Sequence, residues 1–309
     1  MPDTNPLGRT LRELPGDKAI LLDNETCVYC GTRLSRRNDT KEHVIGRRFV
    51  PKGKLNAQWN LIVRACKTCN GTKSDLENDI SGITMQPDAS GQHPVDDEDL
   101  LLEAKRKACN GISRLTGKPI SESSAKIKLE LPFGLGVQLS LGMSAPPQIA
   151  DERIYQLARM QISAFFYWIT YDPSMRIGRF WQGSFFAVHQ TPRSDWGNPR
   201  QTHFMQRVVD WEPRVLAIGA DGFFKAAIRR NPEAICWSWA VEWNHNYRVI
   251  GFFGEESPVR ELLIKCPAVE ATTLYQRPNE SVHFRFEAGL KEGEDCLFQW
   301  KGCESTAIA

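Results

Sequence analysis

The chain has 309 residues, 41% hydrophobic and 25% charged, with a formal net charge of +2. This is the composition of a globular protein with room for a sizeable core, and two domains is the natural expectation; a disordered chain and a disulfide-stapled miniature scaffold are excluded. So small a net charge says nothing about nucleic acid, but its distribution does. From Cys27 to Lys73, eleven Lys and Arg stand against two acids, Asp39 and Glu42, and the rest of the chain is mildly acidic. A basic module on a different body suggests a part that faces a polyanion, the bland alternative being a solvated basic face.

The N-terminal run MPDTNPLGRTLRELPGDKAILL is broken by prolines and charges and lacks the apolar centre of a secretory signal. No stretch reaches the ~18 apolar residues of a membrane span. The expectation is a cytoplasmic chain that meets no membrane and keeps its thiols reduced.

Two C-x2-C pairs come next, Cys27-Val-Tyr-Cys30 and Cys66-Lys-Thr-Cys69. Each can fold around one side of a metal ion, and together they supply four thiolates, the donor set of a structural tetrahedral Zn2+. Gly31 and Asn70-Gly71 are turn-compatible residues directly after the two pairs. A disulfide and a thiol redox site are the alternatives, and the doubled pattern argues against both. Cys109, Cys236, Cys266, Cys296 and Cys303 share no such spacing and read as small buried or free thiols.

The stretch between the knuckles is longer than a zinc ribbon needs. Lys41–Ile45 reads as a short strand ending at Gly46, Pro51–Asn56 as a turn, and Gln58–Val63 as a second strand. A helix-compatible run, Asn70–Glu77, follows, with Ser74 and Glu77 at capping-box spacing and room for an earlier start. Glu42 and His43 are adjacent, so on a regular strand they face opposite ways; sharing a site requires a bend, which Gly46 would permit.

The residues Cys27-x2-Cys30, Glu42-His43-Val44-Ile45, Asn60-Leu61, Cys66-x2-Cys69-Asn70 and Lys73 resemble an HNH nuclease domain of the ββα-metal class over roughly residues 22–82. The trio is His43, Asn60, Asn70, similar to the H-N-N arrangement of the HNH domain in RNA-guided CRISPR nucleases. Glu42 stands where Asp is commoner, and Asn70 is a neutral oxygen donor in place of imidazole. The resemblance implies DNA as partner, with RNA left open, and a catalytic role for all three residues, Asn60 orienting the His43 loop by hydrogen bonding. The chemistry agrees. Phosphodiester hydrolysis needs an activated water, for which neutral His43 is the base, and charge stabilisation, for which Glu42 and Asn70 offer hard oxygens to Mg2+ or Mn2+. Arg47, Arg48, Arg64 and Lys73 are candidates for phosphate contacts.

Residues 83–100 read as a linker or a long surface loop. Leu101–Leu115 is a helix carrying Lys105, Arg106, Lys107 and Arg114, which either extends the phosphate-binding surface or is a solvated face. A β-hairpin is expected over 126–142 and a helix over 151–170, with Ile154, Leu157, Ala158, Ile162, Phe165 and Ile169 at helical spacing. Strands are expected at Ser184–Gln190, Arg214–Ala220, Cys236–Trp243 and Tyr247–Gly254, helices at Pro199–Trp211 and Pro258–Lys265, and a turn at Asn244–Asn246. Trp237, Trp239, Val241 and Trp243 fall on one face, as a packed core or as a platform for stacking bases. His93, His189, His203, His245 and His283 have no motif around them and read as structural.

The expected fold class is α+β: a zinc-clamped ββα-metal domain over 1–85, a linker, basic helix and hairpin over 86–145, and a mixed α/β domain with antiparallel strands over 146–309. The expected function is a metal-dependent DNA endonuclease whose second half targets or gates it, as a homodimer or through an activating ligand or partner protein. Bacterial restriction or antiphage defence is the setting that family analogy suggests. The alternative is a zinc-stabilised nucleic-acid-binding protein that does not cut.

Overall fold

The structure, a computed structural model, describes residues 12–13, 18–56, 58–132, 138–277, 280–291 and 293–299. Most of the N-terminal run, the tip of the expected 126–142 hairpin and Cys303 lie outside these residues. In chain order, β1 (Arg12–Glu13) and β2 (Ile20–Leu21) precede the first knuckle, and β3 (Asp39–His43), β4 (Leu61–Cys66) and α1 (Lys67–Thr84) carry the motif. β3 pairs antiparallel with β4, and β2 adds parallel to the other edge of β4. Leu61, Val63 and Ala65 alternate into the core from β4, and Leu76, Ile80 and Ile83 form the buried stripe of α1.

Beyond the motif, the expected 101–115 helix runs from Glu98 to Asn110 and the expected 199–211 helix ends at Val208; within it, three boundaries differ from expectation. The helix starts at Lys67, because Cys66 caps it: its sulfur accepts from the Cys69 N–H at 3.5 Å. Asn70, Gly71, Ser74 and Glu77 are therefore inside α1, neither turn nor cap. The first strand ends at His43, and the chain bends at Val44 and Ile45. The second strand begins at Leu61; just before it, the side chains of Gln58, Trp59 and Asn60 bond to Asp221, Ile218 and Ile45.

Next come α2 (Glu98–Asn110), the hairpin β5 (Ser124–Pro132) and β6 (Gln138–Pro147), and α3 (Asp151–Ile169). Asp97 caps α2, accepting from Leu100 N–H at 2.9 Å. The rest comprises β7 (Ser184–Pro192), α4 (Pro199–Val208), β8 (Glu212–Gly219), β9 (Phe224–Arg230), β10 (Cys236–Trp243), β11 (Tyr247–Gly254), α5 (Glu256–Ile264), β12 (Thr272–Arg277) and β13 (Glu280–Phe284). Six strands form one sheet in the order β1-β8-β9-β10-β11-β7, antiparallel except where β1 joins β8. The chain is thus α+β with antiparallel sheets.

α3 lies between the motif and this sheet, so its 3.6-residue period is buried on nearly every side from Leu157 to Ile169. All eight residues of the central strand β10 are buried. Its Trp237, Trp239, Val241 and Trp243 face α3, while Cys236 and Ala240 face a second cluster with Phe204 and Leu262. Trp243 donates to Gln161 Oε1 at 2.9 Å, and Phe166 meets Trp237 edge-on. These tryptophans are core and offer bases no platform. The larger cluster joins Val44, Phe49 and Trp59 to Phe165, Phe224 and Trp243 without a break. Among the described residues, no helix is long and apolar enough to cross a membrane.

Candidate active site

The two knuckles meet. Cys27 accepts from Gly31 N–H at 2.9 Å in a turn that needs φ of +73° at Gly31, and the second knuckle is the first turn of α1. The sulfurs of Cys27, Cys30, Cys66 and Cys69 all lie within 4.8 Å of one another. Cys30 and Cys66 are 3.8 Å apart, the tetrahedral edge that Zn–S bonds of ~2.3 Å produce (about 3.8 Å), and far from a disulfide bond at ~2.05 Å. Burial pushes the Cys27 thiol up to about 11 and raises Cys69 as well, a penalty on the thiolates that a bound dication offsets. The four residues fit a structural metal such as zinc. Among the described residues no other group of three or more His, Cys, Asp and Glu side chains converges in this way.

Asn60 makes both amide hydrogen bonds to one residue: Oδ1 accepts from Ile45 N–H at 3.2 Å and Nδ2 donates to Ile45 C=O at 2.8 Å. It fixes the bend immediately after His43. His43 is half-buried, and no hydrogen bond holds its ring among the described residues. Burial first, then the Arg47 guanidinium, lower its pKa, keeping the imidazole neutral at pH 7.

Glu42 is elsewhere. The ladder stays regular through Glu42↔Val63 and His43↔Ile62, so the two side chains leave opposite faces of β3. Glu42 is buried against α1, where its Oε1 meets the Lys73 ammonium at 2.8 Å and accepts from Tyr29 Oη at 3.3 Å. One turn earlier on α1, Asn70 Nδ2 donates to Thr40 Oγ1 at 2.9 Å. Glu42 and Asn70 therefore share the β3–α1 interface, and His43 stands at the strand end beside it.

Lys73 needs a correction. It is 1% exposed, bridges Glu42 and Glu77, and donates to His43 C=O at 3.1 Å. Burial would lower its pKa, but the two carboxylates outweigh that and raise it. It cannot reach a phosphate without leaving two carboxylates uncompensated. Arg64 is also committed, to Asp39 through Nε at 3.0 Å and to Asp23 at 3.3 Å. Arg47 and Arg48 are exposed, on the loop after His43. Gly46 serves a close approach and not a left-handed bend: a Cβ there would strike the Glu77 carboxylate, which accepts from Gly46 N–H at 3.3 Å.

The sheet braces the same loop from the other side. Trp59 is fully buried and donates Nε1–H to Ile218 C=O at 2.6 Å. Asn244 donates to Thr84 Oγ1 at 2.8 Å and to Phe49 C=O at 3.4 Å; Asn246 donates to Thr84 C=O and Gln86 C=O. Sequence reasoning missed Glu77, Tyr29 and Trp59. Glu77 alone left a signal, its i,i+4 spacing from Lys73. The chain matches no protein-family model, no curated protein and no solved structure.

Proposed function

We propose that the chain is a metal-dependent endonuclease of the HNH type that hydrolyses phosphodiester bonds of DNA. The observation that carries this reading is Asn60, whose two bonds to Ile45 hold the turn behind a neutral, half-buried His43, in a β3–β4–α1 unit that also carries four convergent cysteines. His43 would take the proton of the attacking water. Arg47 and Arg48 would contact the phosphates. Glu42, already met by Lys73 at 2.8 Å, and Asn70 are the residues that would offer hard oxygens to Mg2+ or Mn2+, on the α1 face of β3, opposite the face that the His43 side chain leaves. Such an ion, when bound, supplies charge stabilisation to the phosphorane and the leaving oxygen. The zinc scaffold does no chemistry. The 146–309 half acts as the targeting or gating part, through the braces at Trp59 and Asn244, in a setting such as restriction or antiphage defence.

A second reading is favoured by one observation. Glu42 is already met by Lys73, as suits a structural carboxylate, and a zinc-stabilised module that binds nucleic acid without cutting would keep that pair. Supercoiled plasmid with Mg2+ or Mn2+, an EDTA control, and His43→Ala and Asn60→Ala variants decide. Metal-dependent nicking or linearisation that both variants lose supports the nuclease. Tight binding without cutting supports the second reading, and cutting that survives in His43→Ala sinks the base assigned here.

A further inference from the structure

The loop after His43 forms one wall of a cleft of about 530 Å3 whose opposite wall is α2 and the turn that follows it. Five basic side chains line it, Arg47, Arg48, Arg106, Lys107 and Arg114, against one acid, Glu77, whose charge Lys73 already meets. The walls are joined chemically. Lys107, 8% exposed, donates to Arg48 C=O and to Ser81 Oγ. Burial lowers its pKa to about 8, so it is still mostly cationic at pH 7. α2 is thereby fixed to the catalytic loop, although it lies outside the stretch that resembles a nuclease.

The arginines at the rim are available. Arg47 and Arg48 are exposed and have no carboxylate partner among the described residues. Arg106 and Arg114 are about half exposed and pair with Glu103 and Asp75. The Arg114–Asp75 pair is half exposed on both sides and of a kind worth only ~0–1 kcal/mol, so a phosphate can compete for that guanidinium; Glu103 is buried and holds Arg106 through two bonds, which leaves the remaining donors of that half-exposed guanidinium for a phosphate.

We propose that this cleft is a second nucleic-acid subsite, in which the sugar-phosphate backbone flanking the cut bond lies between Arg47 and Arg48 on one wall and Arg106 and Arg114 on the other. The inference rests on the nucleic-acid part of the reading above and extends it to α2. Its interactions are with phosphate, so it should strengthen binding without choosing sequence.

The test uses the full chain carrying His43→Ala, a fluorescein-labelled DNA duplex or its RNA counterpart, and anisotropy over about 50–200 mM salt. Removing one arginine that neutralises a phosphate should reduce the slope of log K against log salt by about 0.9. Arg106→Ala with Arg114→Ala should therefore reduce it by about 1.8, weaken binding equally on two unrelated sequences, and leave zinc content unchanged. Arg106→Lys should restore its share. Arg260→Ala, which breaks a similar exposed pair with Glu256 on α5, should change nothing. An unchanged slope in the double variant, with a fall in Arg47→Ala and Arg48→Ala, overturns the α2 wall and leaves the nuclease reading standing. No binding to DNA or RNA by the parent overturns both. Binding that depends on the cleft in a chain that never cuts with His43 intact keeps the subsite and removes the nuclease.

Discussion

The loop that carries His43 is held from two sides by different physics. On the α1 side the restraint is ionic and buried: Glu42, Lys73 and Glu77, beneath four cysteines that fit a metal. On the sheet side it is apolar and neutral: Phe49 edge-on to Trp243 at 5.7 Å, Trp59 on Phe165, and the amides of Asn244 and Asn246. The first kind is built within one short segment, from β3 and α1, and tolerates little, because a buried charge left unpaired is costly. The second spans most of the chain and yields gradually, one side chain at a time.

Metal removal should separate the two sides most sharply. Structural zinc contributes ~10–16 kcal/mol of apparent binding free energy in small zinc modules. Chelation, or Cys66→Ala, should abolish hydrogen-exchange protection over residues 22–82 and spare β8–β11; uniform loss across the chain would show the two sides to be inseparable. Lys73→Ala comes next, at about 3–5 kcal/mol in urea unfolding, because Glu42 and Glu77 are left without their cation. Trp59→Ala should cost a comparable ~3–5 kcal/mol on the sheet side, with bound zinc unchanged, and metal loss in that variant would break the distinction. Asn244→Ala should cost about 1–3 kcal/mol and, under the proposed function, lower the cutting rate more than it lowers substrate affinity. The smallest effect concerns pH. The His43 pKa is lowered from 6.5, and under the proposed function its neutral form is the base, so the proposed activity should persist as pH falls to 6.5 and decline only below it. An acid limb centred above 6.5 would remove His43 from that role.

Legibility in the sequence followed the range of the interaction. The cysteine knuckles, α3 and the β10–β11 hairpin were readable because their signals are local: fixed spacing, a 3.6-residue period, and an Asn-His-Asn turn with positive φ at Asn244 and His245. The start of α1 was not, since a cysteine sulfur is an unusual cap. β9 went unseen because FKAAIRR looks too charged for an inner strand. Its charges are met from afar, Lys225 by Glu242 at 2.8 Å and Arg230 by Glu212 at 3.7 Å, with Arg229 donating to the carbonyls of Leu297 and Gln299. At the site, Asn60 precedes β4 and holds Ile45 through its side-chain amide, and the burial of Lys73 on α1 escaped because one of its two acids, Glu42, comes from β3.

The unbroken core has a consequence for portability. The segment that resembles a nuclease is about a fifth of the chain, yet Phe49, Val50 and Trp59 bury themselves against residues more than a hundred positions away. A chain cut after residue 85 would turn those side chains into an exposed apolar patch, the kind of surface that drives aggregation. The motif therefore cannot be lifted out as a cassette: grafted onto another protein, it would need a new wall for Trp59 before His43 could find its place.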